Sequence, residues 1–216
     1  MSKFLLTTAL LGVALSATAQ APALAPTPSW AVGVEASRYL AGTVPDQARV
    51  QVLPGLFVRY QPNRLGGWAG LDFGQQTTDP NPANCADCLT GLTTARTLAL
   101  RLGGQYAVLP QLPWLYTLLD VAYHHTRAGG RYTGGFCGCL DNSTTQTTRT
   151  LGASAGIGAS FRLVCRIYVG SELYYAGFVG RTSSLTIDNR FGSESNSSGP
   201  ARGHAPAVRL QAGVTF

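Results

Sequence analysis

The chain has 216 residues, 26 of them Gly, with 12% charged side chains and a formal net charge of +6. That length suits one domain rather than two, and the Gly-rich, charge-poor composition fits an all-β chain. The positive excess is scattered, without an Arg cluster interleaved with aromatics or a helix-turn-helix pattern, which excludes nucleic acid as the expected partner.

In chain order, Met1-Ser2-Lys3 supplies a positive charge, Phe4 to Leu15 is an apolar run, and Ala17-Thr18-Ala19 is a small-x-small cleavage site. The run is shorter than the roughly 20 residues a membrane-spanning helix needs. Residues 1–19 therefore read as a secretory signal peptide. Residues 20–28, Gln-Ala-Pro-Ala-Leu-Ala-Pro-Thr-Pro, form a Pro-rich leader that cannot join a sheet interior.

From residue 29 onward no apolar period of 3.6 lasts for three turns, and alternation with period two takes over. The first strand sets Trp30, Val32, Val34 and Ala36 against Ala31, Gly33, Glu35 and Ser37. The second sets Val50, Val52, Leu56 and Val58 against Leu53, Gly55, Phe57 and Arg59. The third sets Ala69, Leu71 and Phe73 against Gly70, Asp72 and Gly74; the fourth, from about Thr94 to Val108, sets Leu98, Leu100 and Leu102 against Ala99, Arg101 and Gly103. The fifth opposes Leu115, Leu119, Val121 and Tyr123 to Tyr116, Asp120, Ala122 and His124. In the sixth, Leu151, Ala153, Ala155, Ile157, Ala159 and Phe161 face a nearly bare side of Gly152, Ser154, Gly156, Gly158 and Ser160. The seventh opposes Ile167, Val169, Leu173 and Tyr175 to Arg166, Tyr168, Gly170, Glu172 and Tyr174. The eighth, Val208 to Phe216, alternates without a break and ends on an aromatic ring.

The connections alternate as well. Residues 39–49, 76–92, 126–145 and 179–204 are long and polar, whereas 61–67, 108–113 and 162–164 are short. Arg162-Leu163-Val164 is the weakest join, because it lacks turn residues. The signal peptide, the eight strands, this loop rhythm and the ending Val214-Thr215-Phe216 together resemble the small eight-stranded bacterial outer-membrane barrels of the OmpA/OmpX type. The likeness is to the single-domain form, without the peptidoglycan-binding domain, so a cell-wall tether is not carried over. It implies an eight-stranded antiparallel up-and-down transmembrane β-barrel over residues 29–216, in the outer membrane, with the long loops extracellular. It also implies that Val214 and Phe216 belong to an insertion signal read by the barrel-assembly machinery, with periplasmic chaperones as further partners. A monomer is expected.

A soluble lipocalin-like barrel or sandwich would alternate too, but it would put charges outside. Here one parity class gathers Glu35, Arg59, Asp72, Arg101, Asp120, His124, Arg166, Glu172 and Arg209, and the bare face of the sixth strand suits a crowded interior. These nine side chains are expected to form an ion-paired network plugging the lumen, with Arg209 inward and Val208, Leu210, Ala212, Val214 and Phe216 toward lipid. A gated or narrow conduit lined by the same residues is the alternative. Trp30, Tyr60, Trp68, Trp114, Tyr123, Tyr175 and Phe216 lie near strand ends, as interfacial girdles do. Arginines facing lipopolysaccharide phosphates would account for the basic balance, which makes outer-membrane lipids and lipopolysaccharide expected partners.

The residues that could do chemistry are His124, His125, Asp120, Ser171 and Glu172. His124 and Asp120 share a face but stand about 13 Å apart along a strand, and His124 and His125 point to opposite faces. No nucleophile can be assigned, so the protein is expected not to be an enzyme and to carry no cofactor. Cys85-Ala86-Asp87-Cys88 and Cys137-Gly138-Cys139 fall in two neighbouring long loops. Disulfides between the loops are expected in an oxidising medium, and a thiolate metal site is the alternative. Cys165 is left as a lone thiol near a short turn. The fourth long loop, residues 179–204, is expected to be mobile and available for contacts. The reading is a non-enzymatic outer-membrane barrel displaying surface loops for envelope structure, adhesion or ligand contact. A lipid-modifying enzyme or narrow pore is the alternative.

Overall fold

A computed structural model describes residues 29–40, 53–78, 89–109, 111–112, 114–134, 140–164 and 166–216. The expected signal peptide and leader, the Val50–Val52 segment and all five cysteines, Cys85, Cys88, Cys137, Cys139 and Cys165, lie outside the described residues. The strands are β1 (Ser29–Tyr39), β2 (Leu53–Gln61), β3 (Leu65–Thr78), β4 (Leu89–Ala107), β5 (Leu115–Gly134), β6 (Leu140–Val164), β7 (Ile167–Asp188) and β8 (Ser193–Thr215). Each pairs antiparallel with its sequence neighbour, and β8 returns to β1, with Ala31 opposite Thr215 and Tyr39 opposite Ala207. The result is a closed, eight-stranded, up-and-down barrel.

Closure sorts side chains by parity. Val32, Val34, Leu56, Leu100, Leu102, Leu119, Val121, Leu151, Ile157 and Leu173 are exposed on the outer wall, while Glu35, Arg59, Asp72, Arg101, Asp120, Glu172 and Arg209 are buried inside. This is a soluble barrel turned inside out. Eight strands leave an interior just wide enough to be filled by side chains, and the bare face of β6 is what lets large ones in. A Cβ added at Gly158 would stand 2.5 Å from the Tyr116 ring, and one at Gly156 would stand 2.6 Å from the Cβ of Tyr174.

Four expectations from the sequence are corrected here. Residues 126–145 and 179–204 are mostly strand rather than loop: β5 and β6 run to Gly134 and from Leu140, and β7 and β8 are joined only by residues 189–192. These extensions are built from Thr and Ser, whose hydroxyls meet across strands at Thr97–Thr126 (3.1 Å), Thr148–Thr182 (3.0 Å) and Thr144–Thr186 (3.4 Å). Such cross-strand pairs stabilise a sheet without apolar alternation. The turn after Asp188 is also tied down. Asp188 Oδ1 accepts the N–H of Arg190 at 2.9 Å, and Gly192, at φ +66°, supplies the left-handed residue that closes it.

Trp68 is not a girdle residue. It shares parity with Asp72 and lies buried in the lumen. The join at residues 162–164 is strand, carrying a register shift between Arg162 and Val164, because Arg-Leu-Val offers no turn chemistry and the reversal falls later. Arg166 consequently stands in that turn, exposed, one residue before β7 begins. Its carbonyl accepts the Thr215 N–H at 2.7 Å, and its side chain does not join the interior set.

Candidate functional site

The interior side chains meet because strands distant in sequence face one another across a narrow lumen. Arg209, on β8, donates from Nη1 to Glu172 Oε2 at 2.6 Å and from Nη2 to Asp120 Oδ2 at 3.3 Å, and lies 3.6 Å from Glu35. Arg101, on β4, donates to Asp72 Oδ1 at 2.7 Å and to Glu35. Arg59, on β2, donates to Gln211 Oε1 at 2.7 Å and to Glu172 Oε1 at 3.2 Å. Tyr116 donates to the same Glu172 oxygen at 2.8 Å, and Ser154 donates to Asp120 Oδ1 at 2.5 Å. The Trp68 ring lies against both Arg101 and Arg209, at 4.9 and 4.6 Å from the guanidinium carbons, and Tyr174 lies 4.6 Å from Arg209.

Seven of the nine residues assigned to the interior are thus brought into one network: Glu35, Arg59, Asp72, Arg101, Asp120, Glu172 and Arg209. With Arg166 outside, three guanidiniums face four carboxylates among the described residues. Polar partners share the remaining lone pairs. Gln211 donates to Glu172 at 3.2 Å, and Ser37 accepts from Arg209 Nε at 3.4 Å. Sequence reasoning missed Gln211, Tyr116, Ser154, Trp68 and Tyr174 as members, although the parity that marked Arg209 already placed Gln211 beside it.

His124 is half-buried at the upper margin of the network, edge-on to Phe178 at 5.3 Å, and its Nε2 has no hydrogen-bond partner. His125 points to the other face. Among the described residues neither histidine makes a hydrogen bond to a Ser, Thr or carboxylate, the contact a nucleophile and its base require. A cavity of about 10 Å³, lined in part by Ser37, Asp120, His124, Ser154 and Arg209, has room for about one water. No group of three or more His, Cys, Asp or Glu among the described residues is arranged to hold a metal ion.

Above the lumen, β4 to β8 continue as a polar sheet. Arg131 clamps Asp141 with two hydrogen bonds, 2.8 Å from Nε and 2.7 Å from Nη2, and Asn189 donates to the same carboxylate at 2.9 Å. The hydrogen bonds from Arg131 and then Asn189 hold the Asp141 carboxyl well below the usual carboxylate range. This clamp ties β5, β6 and the turn after β7 into one piece.

No family model and no curated protein sequence matches the chain. Solved structures do. A major outer membrane protein from Thermus thermophilus matches at a TM-score of 0.56 and 16% identity, over 88% of this chain and 100% of that one. CarO2 of Acinetobacter baumannii matches at 0.46 and 12%, over 88% and 99%. Ail, the attachment invasion locus protein of Yersinia pestis, matches at 0.43 and 11%, over 88% and 100%. At such identities the likeness is one of fold, and the fold is that of small bacterial outer-membrane barrels.

Proposed function

We propose that the chain is a non-enzymatic outer-membrane barrel with a closed lumen, whose rigid wall holds a Ser/Thr-rich sheet clear of the membrane as a contact surface. The observation that carries this reading is the inversion of the barrel: aliphatic side chains cover the outside, and hydrogen-bonded ion pairs fill the inside. Water does not stabilise such an exterior, and an apolar bilayer does. Arg209, Arg101 and their carboxylates occupy the interior, and a lumen filled in this way supports the expectation that it does not conduct. Envelope structure, adhesion and ligand contact are the roles open to the projecting sheet.

The refolded barrel in a planar bilayer, and in vesicles containing lipid A, separates this from the alternatives. Neither current steps nor a modified lipid product is expected. Stepwise conductance would replace the proposal with a pore, and a chemically altered lipid A would replace it with an enzyme.

Two disulfides among Cys85, Cys88, Cys137 and Cys139 belong to the same proposal, because their segments join β3 to β4 and β5 to β6 on the side that would face an oxidising exterior. Intact mass with and without reductant should show four hydrogens gained on reduction. Four alkylatable thiols in the exported, unreduced protein would defeat the staples.

A further inference from the structure

The outer wall carries an arrangement that closing the barrel does not require. Arg96 on β4 stands directly opposite Arg127 on β5, and Arg149 on β6 stands directly opposite Arg181 on β7. All four share the parity of the lipid-facing residues below them and are exposed. Like charges directly opposite each other on one sheet face destabilise it, and among the described residues no carboxylate relieves these two pairs. None of the four makes an ion pair or hydrogen bond among the described residues. The acidic side chains of the described strands lie in the lumen or in the outermost part of the projecting sheet, at Asp141, Asp188 and Glu194.

What lies on either side of the pairs gives them a direction. In the rows just below stand Leu98 and His125, then Leu100, Tyr123, Leu151 and Val179, the upper margin of the apolar wall. About 7 Å above the Arg149–Arg181 pair, the spacing of two strand residues, the wall hollows. A shallow concavity of about 300 Å³ there is lined by Thr145, Thr147, Ser183, Asn196 and Ser198, with Leu185 at its side. From membrane outward the order is aliphatic, then guanidinium pairs, then hydroxyls and an amide.

We infer that this strip of β4 to β8 docks a phosphorylated glycolipid, the lipid A portion of lipopolysaccharide, from the outer leaflet. Acyl chains lie along Leu100, Leu151 and Val179. The phosphates accept hydrogen bonds from the Arg96–Arg127 and Arg149–Arg181 pairs, in the charge-assisted, forked geometry that guanidinium gives with phosphate. The sugar hydroxyls exchange hydrogen bonds in the Thr145–Ser198 hollow. The hollow is what favours a saccharide lipid over a phospholipid, since glycerol-phosphate headgroups have no ring of hydroxyls to place there. The inference rests on the outer-membrane reading above.

The test uses the chain refolded into nanodiscs containing lipid A, phosphatidylglycerol at equal negative charge, or phosphatidylcholine alone, with bound lipid counted by native mass spectrometry. Lipid A should be retained in preference to phosphatidylglycerol. Arg149→Gln with Arg181→Gln should weaken that retention roughly tenfold, the loss of one or two charge-assisted hydrogen bonds. Thr147→Val with Ser183→Ala should weaken lipid A and leave phosphatidylglycerol unchanged, a selectivity that misfolding cannot produce. Equal retention of both anionic lipids, or an arginine variant that holds lipid A as well as the parent, overturns the inference. Failure to enter any of the three bilayers overturns the outer-membrane reading instead.

Discussion

Arg209→Met should destabilise the folded barrel by about 3–5 kcal/mol, the scale found when one partner of a buried ion pair is removed. Arg209 is 0% exposed and, among the described residues, is the one side chain that reaches Glu172, Asp120 and Glu35 together. Without it, four interior carboxylates face only Arg59 and Arg101, and the Trp68 and Tyr174 rings lose the cation between them. Methionine keeps much of the volume, so the loss reports charge rather than a cavity. Urea titration of the refolded barrel in lipid vesicles, followed by tryptophan fluorescence, measures it. Adding Glu172→Gln to the variant should recover part of the loss, because residues in one network are not additive. A change below about 1 kcal/mol, the range of exposed pairs, would mean that water reaches the network freely.

Leu102→Arg tests the other face. Leu102 is 63% exposed, lies midway between Leu98 and Tyr106 on the outer side of β4, and is flanked by Ala69 and Val121. An Arg at the bilayer midplane of a barrel costs about 2–4 kcal/mol, falling toward zero near the interfaces. The same urea titration should therefore show a loss of that size for Leu102→Arg and a much smaller one for Leu92→Arg, which lies on the projecting sheet. A soluble barrel would tolerate both changes equally. Equal effects at the two positions would remove the bilayer from this protein's setting.

The fold was legible because period-two alternation is forced wherever one strand face meets lipid and the other a packed lumen. Counting back from Phe216 places Arg209 inward, and it is fully buried there. The same count placed Glu35, Asp72, Arg101 and Asp120 on the side where the structure has them. Alternation fails where both faces are wet. Thr144 to Thr150 and Thr182 to Thr186 show no apolar period, so polarity suggested loops, and only the cross-strand hydroxyl pairs reveal strand. Arg166 failed for a different reason: parity says which way a side chain points, and says nothing about where the strand begins. Trp68 lies near a strand end, as a girdle residue would, but its parity with Asp72 assigns it to the lumen, where it is buried. Which inward residues touch was not legible at all, since contacts across a barrel depend on the stagger between strands.

The strands differ in length on the two sides of the barrel, 9 residues in β2 against 25 in β6. A strand needs about 9–11 residues to cross a bilayer, so β2 is about one crossing long while β6 is more than twice that. Its pairing with β7 is unbroken from Asn142, opposite Asp188, down to Phe161, opposite Val169. Tip and lumen are therefore one continuous ladder. Ladder bonds lie perpendicular to the strands, so a pull on the tip along the strand axis loads many of them at once instead of peeling them one by one. Whatever grips the tip pulls on a mast stepped in the ion-paired lumen, and the anchorage resists force applied along the strand axis.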